Sequence, residues 1–235
     1  MSGVRLALAL TAVAAAAGAS QSPPAEVVGR SVEHRPIRLV RVGDSGAPRR
    51  LLVVGCIHGS EPAGLAVTRA LRRAAPPAGV QLLVVDAINP DGCARGTRAN
   101  ARGVDLNRNF PTAWRPLGGV YASGPRSSSE PETRAAEALI LRERPAVSIW
   151  FHQHLNGVDL QRGSSVSLMR RYARIAGMRT FRLAPLPGTV TRWENHRLPG
   201  TSAFVVELPA GRLASAAVAR HVRAVLGVAA AVRKP

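Results

Sequence analysis

The sequence predicts an α/β fold in which a sheet with parallel portions is covered by helices on both faces. Two observations lead to this prediction. Short apolar runs alternate with longer amphipathic stretches, and strands that alternate with helices of this length form a buried, mainly parallel sheet. The chain has 235 residues without an internal repeat, which is enough to bury the core of one large domain.

The individual elements follow from the local patterns. Five apolar runs predict strands at IRLVRV (37–42), LLVVGC (51–56), QLLVVDAI (81–88), AVSIWFH (146–152) and SAFVVEL (202–208). Four amphipathic segments predict helices at 61–75, 130–143, 166–177 and 212–232. Ser129 and Glu132 have the spacing of a capping box, and Pro131 suits a first helical turn. The triplet Ser60-Glu61-Pro62 repeats this pattern at the first helix.

The N-terminus resembles a secretory signal peptide. Arg5 precedes an apolar run at 6–17, which ends in the small residues Ala17-Gly18-Ala19. The alternative is a membrane anchor, but a bilayer span needs about 20 apolar residues. We therefore predict a signal peptide at 1–19, an N-terminal extension at 20–35, and a main domain at 36–235 that is secreted or associated with the cell envelope.

The two cysteines, Cys56 and Cys93, each lie near the end of an apolar run. The two runs could be adjacent strands, and an oxidising compartment would permit a disulfide between the cysteines. Two free buried thiols fit the sequence equally well. The pairing stays open at this stage.

The net charge of +18 suggests an anionic partner, but its distribution does not. Lys234 is the only lysine, and the arginines are scattered along the chain rather than clustered. Aromatic residues make up only 4% of the chain, and no nucleic-acid recognition motif is present. We therefore predict no nucleic-acid partner and no stable membrane insertion.

A possible metal site begins directly after the second predicted strand, in GCIHGSEPAG (55–64). His58 and Glu61 lie three residues apart between a strand and a helix N-terminus, where an imidazole and a carboxylate can converge on one point. Ligand sites in open α/β sheets lie beyond the carboxyl ends of the strands. A loop with solvent-facing polar residues is the alternative, since the H-x-x-E spacing is common.

A third ligand would have to come from another strand. SIWFHQH (148–154) ends an apolar run with His152, and a catalytic zinc takes three protein ligands plus water. His154 is the alternative ligand because it lies on the same side of the strand by the period of two. We prefer His152 because it directly ends the apolar run.

A dense polar stretch, NPDGCARGTRANARGVDLNRNFP (89–111), lies between these ligands. The adjacent Asn107 and Arg108 could hold the terminal carboxylate of a peptide, since arginine presents a planar fork of donors. Arg98 could stabilise the oxyanion that forms when water attacks a carbonyl. The alternative for each residue alone is a solvated position in a surface loop. Glu207, in AFVVELP, is an acid inside an apolar strand and is costly to bury without a partner.

These pieces, taken in order, resemble the zinc carboxypeptidase family. H-x-x-E, R-x-N-x-x-G-V-D-L-N-R-N-F, a strand-end histidine and a distant F-V-V-E-L occur within about residues 36–210. The sequence is similar to the bacterial branch related to murein peptide amidase, with succinylglutamate desuccinylase and aspartoacylase as further relatives. The resemblance implies a single-domain α/β fold with a mixed, mainly parallel sheet and one catalytic zinc.

The resemblance also implies a role for each matching residue. His58, Glu61 and His152 would bind zinc, and Asp105 would orient a ligand histidine. Arg98 would polarise the scissile carbonyl. Glu207 would be the general base, and Asn107 with Arg108 would hold the substrate's free carboxylate.

One departure from the family concerns the substrate pocket. Digestive members place a tyrosine ahead of the general base, but LPGTVTRWENHRLPG (186–200) contains none. Trp193, Glu194 and His196 occupy that segment; we favour Trp193 as a pocket wall, and the alternative is a packing residue. The only tyrosines, Tyr121 and Tyr172, lie elsewhere in the sequence.

The expected activity is hydrolysis of the C-terminal amide bond of a short peptide with a free carboxylate. The related amidase branch implies the γ-D-glutamyl–diaminopimelate bond of a cell-wall peptide. Two alternatives remain: an N-acyl amino acid hydrolase of the same fold, and a non-catalytic protein that binds cell-wall fragments. The intact set of ligands and Glu207 argue against the second.

Overall fold

A computed structural model describes residues 24–232 of the chain; the signal peptide predicted at 1–19 lies outside this range. Strands and helices alternate along the described residues. The strands are β1 Ala25–Arg30, β2 Pro36–Val42, β3 Arg49–Cys56, β4 Val80–Ala87, β5 Val147–Asp159, β6 Arg179–Phe181 and β7 Ser202–Pro209. The α-helices are α1 Gly64–Leu71, α2 Pro90–Arg95, α3 Pro131–Glu143, α4 Val166–Ala176, α5 Val190–Arg197 and α6 Ser215–Ala231. Two short 3₁₀ turns cover Leu106–Arg108 and Gly119–Tyr121.

The strands form one mixed sheet. Its order is β1-β2-β4-β3-β5-β6, and β7 also pairs with β5. Strands β3, β4, β5, β6 and β7 pair in parallel, whereas β1 with β2 and β2 with β4 are antiparallel. The predicted mixed, mainly parallel sheet is thereby confirmed, and the carboxyl ends of β3, β5 and β7 meet at one edge.

Helices cover both faces of this sheet, as predicted. Side chains of α1, α4 and α6 pack on one face, where Phe151, Tyr172 and Val225 are fully buried. Helices α3 and α5 pack on the other face with Trp150 and Phe110. Strands buried on both faces explain the near-continuous apolar runs in the sequence.

Several elements differ from the prediction. Strands β1 and β6 and helices α2 and α5 were not predicted, because each is short and lacks a long periodic pattern. Strand β1 lies within residues 20–35 and pairs with β2 along the edge of the sheet. Strand β5 continues past the predicted end at 152, and its last residues also pair with β6.

Both predicted helix caps are wrong. Helix α1 begins at Gly64, so Ser60 and Glu61 precede it in a turn in which the Glu61 N–H donates to the His58 carbonyl (3.0 Å). Helix α3 has Glu130 as its N-cap residue, without a side-chain cap. The Ser129 hydroxyl instead donates to Glu130, and Glu132 accepts from the Val32 backbone N–H, so the atoms needed for a capping box are engaged elsewhere.

The structure resolves the question of the cysteines: Cys56 and Cys93 form a disulfide. The bridge joins the end of β3 to α2. Gly59 lies nearby, and a Cβ atom at this position would collide with the backbone of Gly92. Backbone contact and disulfide together fix the loop after β3 against α2. Within residues 24–232, no helix has the length and apolar character required to cross a membrane.

Candidate metal centre

The sheet edge brings together the three residues predicted as metal ligands. His58 lies just after β3, Glu61 in the turn before α1, and His152 near the middle of the long strand β5. Their ligand atoms all lie within 4.8 Å of one another. The Nδ1 atoms of His58 and His152 are each 3.0 Å from Glu61 Oε2. Two imidazole nitrogens and one carboxylate oxygen form a donor set that zinc favours.

The hydrogen bonds of His58 show that the site fits a metal ion. Asp105 Oδ1 lies 2.9 Å from His58 Nε2, which fixes the imidazole and directs the Nδ1 atom towards the other ligands. His58 Nδ1 is buried, and although Glu61 Oε2 lies 3.0 Å away, the nitrogen makes no hydrogen bond within the described residues. A buried nitrogen in this state is costly unless something binds its lone pair, and a metal ion at this point would do so. Asp105 therefore lies where the orienting carboxylate was predicted.

Glu61 is the most heavily contacted ligand. Its Oε2 atom contacts His152 and accepts a hydrogen bond from the Gln153 backbone N–H (3.2 Å), and its Oε1 atom accepts from Arg98. Burial works against the charge of Glu61, but the contacts with His152 and His58 outweigh it and hold the pKa of Glu61 well below its usual range. The carboxylate is therefore ionised and ready to bind a cation.

Arg98 joins the ligand Glu61 to the orienting residue Asp105. Its Nη1 donates to Glu61 Oε1 (2.9 Å) and its Nε donates to Asp105 Oδ2 (2.9 Å). These two bonds leave the Nη2 group of the guanidinium for another acceptor. Burial by itself would raise the pKa of Asp105, but the contacts with His58 and Arg98 outweigh it and lower this pKa to about 2.

Asn107 and Arg108 lie in the 3₁₀ turn that follows Asp105, and both are buried. Asn107 Oδ1 accepts from the Val190 backbone N–H (3.0 Å), so the amide is held in place and its nitrogen is left to donate. Arg108 Nη1 donates to the Asn107 carbonyl (2.6 Å), but no ion pair joins Arg108 to a carboxylate in the described part of the chain. Burial lowers the pKa of Arg108, and an arginine nevertheless stays charged, so this cation lacks a counter-ion.

Glu207 lies on β7 directly beside His152 of β5 in the sheet register. The side chain is buried, and its Oε2 atom has no hydrogen-bond partner among the described residues. Burial raises the pKa of Glu207, and the positive field of His152 offsets only part of this rise. A buried carboxyl group with one free oxygen, next to a ligand strand, is suited to exchange protons.

Other residues considered in the sequence lie outside the cluster. His154 is exposed and does not join the three ligand residues. The interpretation of Trp193 as a pocket wall is wrong, because its ring is buried against Phe110 with the centroids 5.6 Å apart. Glu194 is fully buried and accepts a hydrogen bond from Ser148, and His196 is exposed at the end of α5.

Two contacts at the site were not predicted. The ring of Tyr121 lies over both Arg98 and Arg108, with each guanidinium carbon 5.3 Å from the ring centroid. The side chain of Gln153 accepts from the Ala63 backbone N–H (2.9 Å) and ties β5 to the start of α1. No sequence signal marks Tyr121, because it lies in an irregular loop after the arginines.

Comparison with known families extends this description. A family described as "Protein of unknown function (DUF2817)" matches residues 3–147, which is more than half of the chain. The chain belongs to the DUF2817 family. The matched range of this DUF2817 protein contains His58, Glu61, Arg98, Asp105, Asn107 and Arg108, but neither His152 nor Glu207.

Among curated proteins, the DUF2817 chain is similar to murein peptide amidase A. It is 35% identical to the Escherichia coli (strain K12) protein over 158 residues, which is 61% of this chain and 65% of the amidase. The Vibrio campbellii protein of the same name is 34% identical over 145 residues, or 56% of this chain and 58% of the relative. The matched stretch thus spans less than two thirds of each relative.

Solved structures show the zinc carboxypeptidase-like fold. The murein-tripeptide amidase from Escherichia coli O157 superposes with a TM-score of 0.74 at 26% identity, covering 91% of this chain and 94% of that chain. Carboxypeptidase A from Helicoverpa armigera also gives a TM-score of 0.74, at 19% identity over 90% of this chain and 69% of that chain. At 19% identity, the similarity to carboxypeptidase A concerns the fold alone. The resemblance predicted from the sequence is thereby confirmed.

Proposed function

We propose that this DUF2817 chain is a zinc-dependent metallocarboxypeptidase or amidase that releases the C-terminal residue of a short peptide. The observation on which this rests is the convergence of His58, Glu61 and His152 at the edge of the sheet. The similarity to murein peptide amidase A supports the same reaction class.

His58, Glu61 and His152 would hold the zinc ion. When bound, zinc polarises a carbonyl group and lowers the pKa of water, which are two recognised roles of metal ions in hydrolysis. Asp105 keeps the His58 imidazole oriented, and the contacts of Glu61 with both histidines and Arg98 keep its carboxylate charged.

The remaining residues would move the proton and hold the substrate. Glu207 would take a proton from the attacking water and deliver it to the leaving amine. The free Nη2 group of Arg98 would donate to the carbonyl oxygen as negative charge develops on it. Arg108, a buried cation without a counter-ion, would bind the terminal carboxylate of the peptide, with Asn107 donating beside it. Such anchoring fixes the scissile bond in register with the zinc ligands.

The substrate that we propose is a cell-wall peptide cleaved between γ-D-glutamate and diaminopimelate. The name of the E. coli relative, murein peptide amidase A, supports this class of substrate. We further propose that the chain is exported after removal of residues 1–19, which would place the enzyme where cell-wall peptides occur. The net charge of +18 is compatible with a peptide that carries several carboxylates.

The test is hydrolysis of L-Ala-γ-D-Glu-meso-diaminopimelate by the purified protein, with release of diaminopimelate followed by mass spectrometry. We expect release that a chelator abolishes and added zinc restores. Glu207→Gln should lower the rate about 1,000-fold, because a general acid–base group contributes that order of magnitude.

The matched control is Glu194→Gln, which makes the same change at another buried glutamate outside the site. This variant should retain activity. Absence of hydrolysis by a zinc-loaded protein would overturn the cell-wall substrate and direct the search to other peptides or N-acyl amino acids. Failure to bind zinc at all would overturn the enzymatic proposal.

A further inference from the structure

The loop before α3 places an aromatic ring over both arginines of the site. Tyr121 is half-exposed, with 49% of its surface accessible, and each guanidinium carbon of Arg98 and Arg108 lies 5.3 Å from its ring centroid. Both distances fall within the range of a cation–π interaction, in which the negative face of the ring attracts a cation. A single exposed side chain thus contacts both cations that face the substrate.

The loop is held against the site by hydrogen bonds on the C-terminal side of Tyr121. The Asp105 backbone N–H donates to the Ala122 carbonyl (2.8 Å), and Asn109 Nδ2 donates to the Ser123 carbonyl (2.7 Å). The Trp114 indole N–H also donates to the Ser123 carbonyl (3.1 Å). These bonds connect the residues after Tyr121 to the same segment that carries Arg108, so the position of the ring is built into the fold.

The two cations need this ring to different degrees. Arg98 is already held by Glu61 and Asp105, whereas the Arg108 side chain makes one hydrogen bond within the described residues, to the Asn107 carbonyl. The positive charge of Arg98 also acts unfavourably on Arg108 and contributes to the lowered pKa of Arg108. An aromatic face over both guanidinium groups offsets this repulsion and leaves their N–H edges for an anion.

We propose that Tyr121 is a positioning residue for the substrate carboxylate, acting through Arg108. The ring holds the guanidinium in the orientation that the anion needs, and the phenol hydroxyl is not required. The inference rests on the proposed function for the identity of the substrate. It adds a specificity-determining residue from a loop that none of the predicted site residues occupies.

The test measures binding without hydrolysis. In a Glu207→Gln background, isothermal titration calorimetry on the zinc-loaded protein would compare L-Ala-γ-D-Glu-meso-diaminopimelate with the same peptide ending in a carboxamide at the carboxylate next to the cleaved bond. Tyr121→Ala should weaken binding of the carboxylate peptide about tenfold, as expected for loss of cation–π contacts. Binding of the carboxamide peptide should stay unchanged.

Two further variants separate the ring from the loop. Tyr121→Phe retains the ring and should restore wild-type affinity, whereas Val120→Ala changes the neighbouring residue, which is 69% exposed, and should have no effect. In the Glu207-containing enzyme, Tyr121→Ala should raise KM by a similar factor and leave kcat within about twofold, because the ring acts on binding rather than on proton transfer.

The outcomes distinguish this inference from the proposed function. The inference would be overturned, and the function left standing, if the wild type hydrolyses the peptide but Tyr121→Ala does not weaken binding of the carboxylate peptide. The same holds if Tyr121→Ala weakens binding of the carboxylate and carboxamide peptides equally. Selective loss of carboxylate binding in a protein that hydrolyses nothing would overturn the function and support the inference. If the site with Tyr121 intact binds neither peptide, this inference and the cell-wall substrate of the proposed function are both overturned.

Discussion

At the scale of single residues, the buried polar atoms without hydrogen-bond partners include some at the metal site and others elsewhere in the described residues. His58 Nδ1 and Glu207 Oε2 lie at the sheet edge, where a metal ion and a water molecule would contact them. Glu194 Oε2 lies instead in the core, on helix α5, and Glu194 is not one of the proposed ligand residues. The two atoms at the sheet edge are explained by chemistry at the site. The burial of the Glu194 carboxyl group instead lowers the free energy of unfolding by an amount that depends on pH.

Because Glu194 is buried, the free energy of unfolding should fall as the pH rises. Burial raises the pKa of Glu194 from its usual 4.5 to about 7, against the opposing hydrogen bond from Ser148. Below pH 4.5 the carboxyl group is protonated in both the folded and unfolded states. Between pH 4.5 and 7 the unfolded chain releases the proton first, so the free energy of unfolding decreases by about 3 kcal/mol in total.

Glu194→Gln should remove this decrease, because the amide does not ionise. Urea unfolding at pH 5 and pH 8 measures the difference for the wild type and the variant. Asp44→Asn, which removes an acid from an exposed loop, serves as the control and should keep the wild-type slope. A variant at Glu194 that loses as much stability between these pH values as the wild type would contradict the prediction.

Some of the site residues could be predicted from the sequence and others could not. His152 was predictable because it ends an apolar run, and Glu207 because it interrupts one. The sheet then brings such positions to one edge. Tyr121 was not predictable. It lies in a short 3₁₀ turn of an irregular loop, and only hydrogen bonds distant in sequence bring it over the arginines.

At the scale of elements, the loop between β3 and α1 is fixed to α2 at two points. The disulfide joins Cys56, at the end of β3, to Cys93 in α2, and Gly59 lets the loop backbone pack directly on Gly92. Four of the five predicted strands have nearly correct bounds, but β5 runs past its predicted end, α1 was predicted too long and α2 was missed. Helix α2 has only six residues, so its identity depends on the tertiary contacts that hold it rather than on its own periodicity.

Removal of the disulfide should destabilise the fold. The bridge closes a sequence separation of 37 residues, and in the chain-entropy description this corresponds to about 4 kcal/mol in the free energy of unfolding. The double variant Cys56→Ser/Cys93→Ser should show this decrease in urea unfolding of the oxidised proteins. A reducing agent should lower the stability of the wild type alone. Equal stability of wild type and variant under oxidising conditions would contradict the prediction.

At the scale of the whole molecule, the order of the strands assembles the site. Strand β3 lies next to β5, and β5 next to β7, although Glu61 and His152 are separated by 91 positions in the sequence. The α/β pattern predicts that strand ends meet at one edge, but it does not specify which strands are neighbours. The resemblance to zinc carboxypeptidases predicted only that His58, Glu61 and His152 meet, and the sheet order explains how they do so.

Because the ligands come from separate elements, zinc should stabilise the whole fold. An ion that binds only the folded state adds about 2.7 kcal/mol to the free energy of unfolding at a free concentration 100 times its dissociation constant. Thermal unfolding with zinc and with a chelator should therefore give a higher Tm in zinc. His152→Ala removes a ligand that joins β5 to Glu61 and should abolish most of this difference. His154→Ala, two residues further along and exposed, is the matched control and should retain it. A zinc-dependent rise in Tm that survives His152→Ala but not His154→Ala would place the metal on the other histidine and contradict the ligand set proposed for this fold.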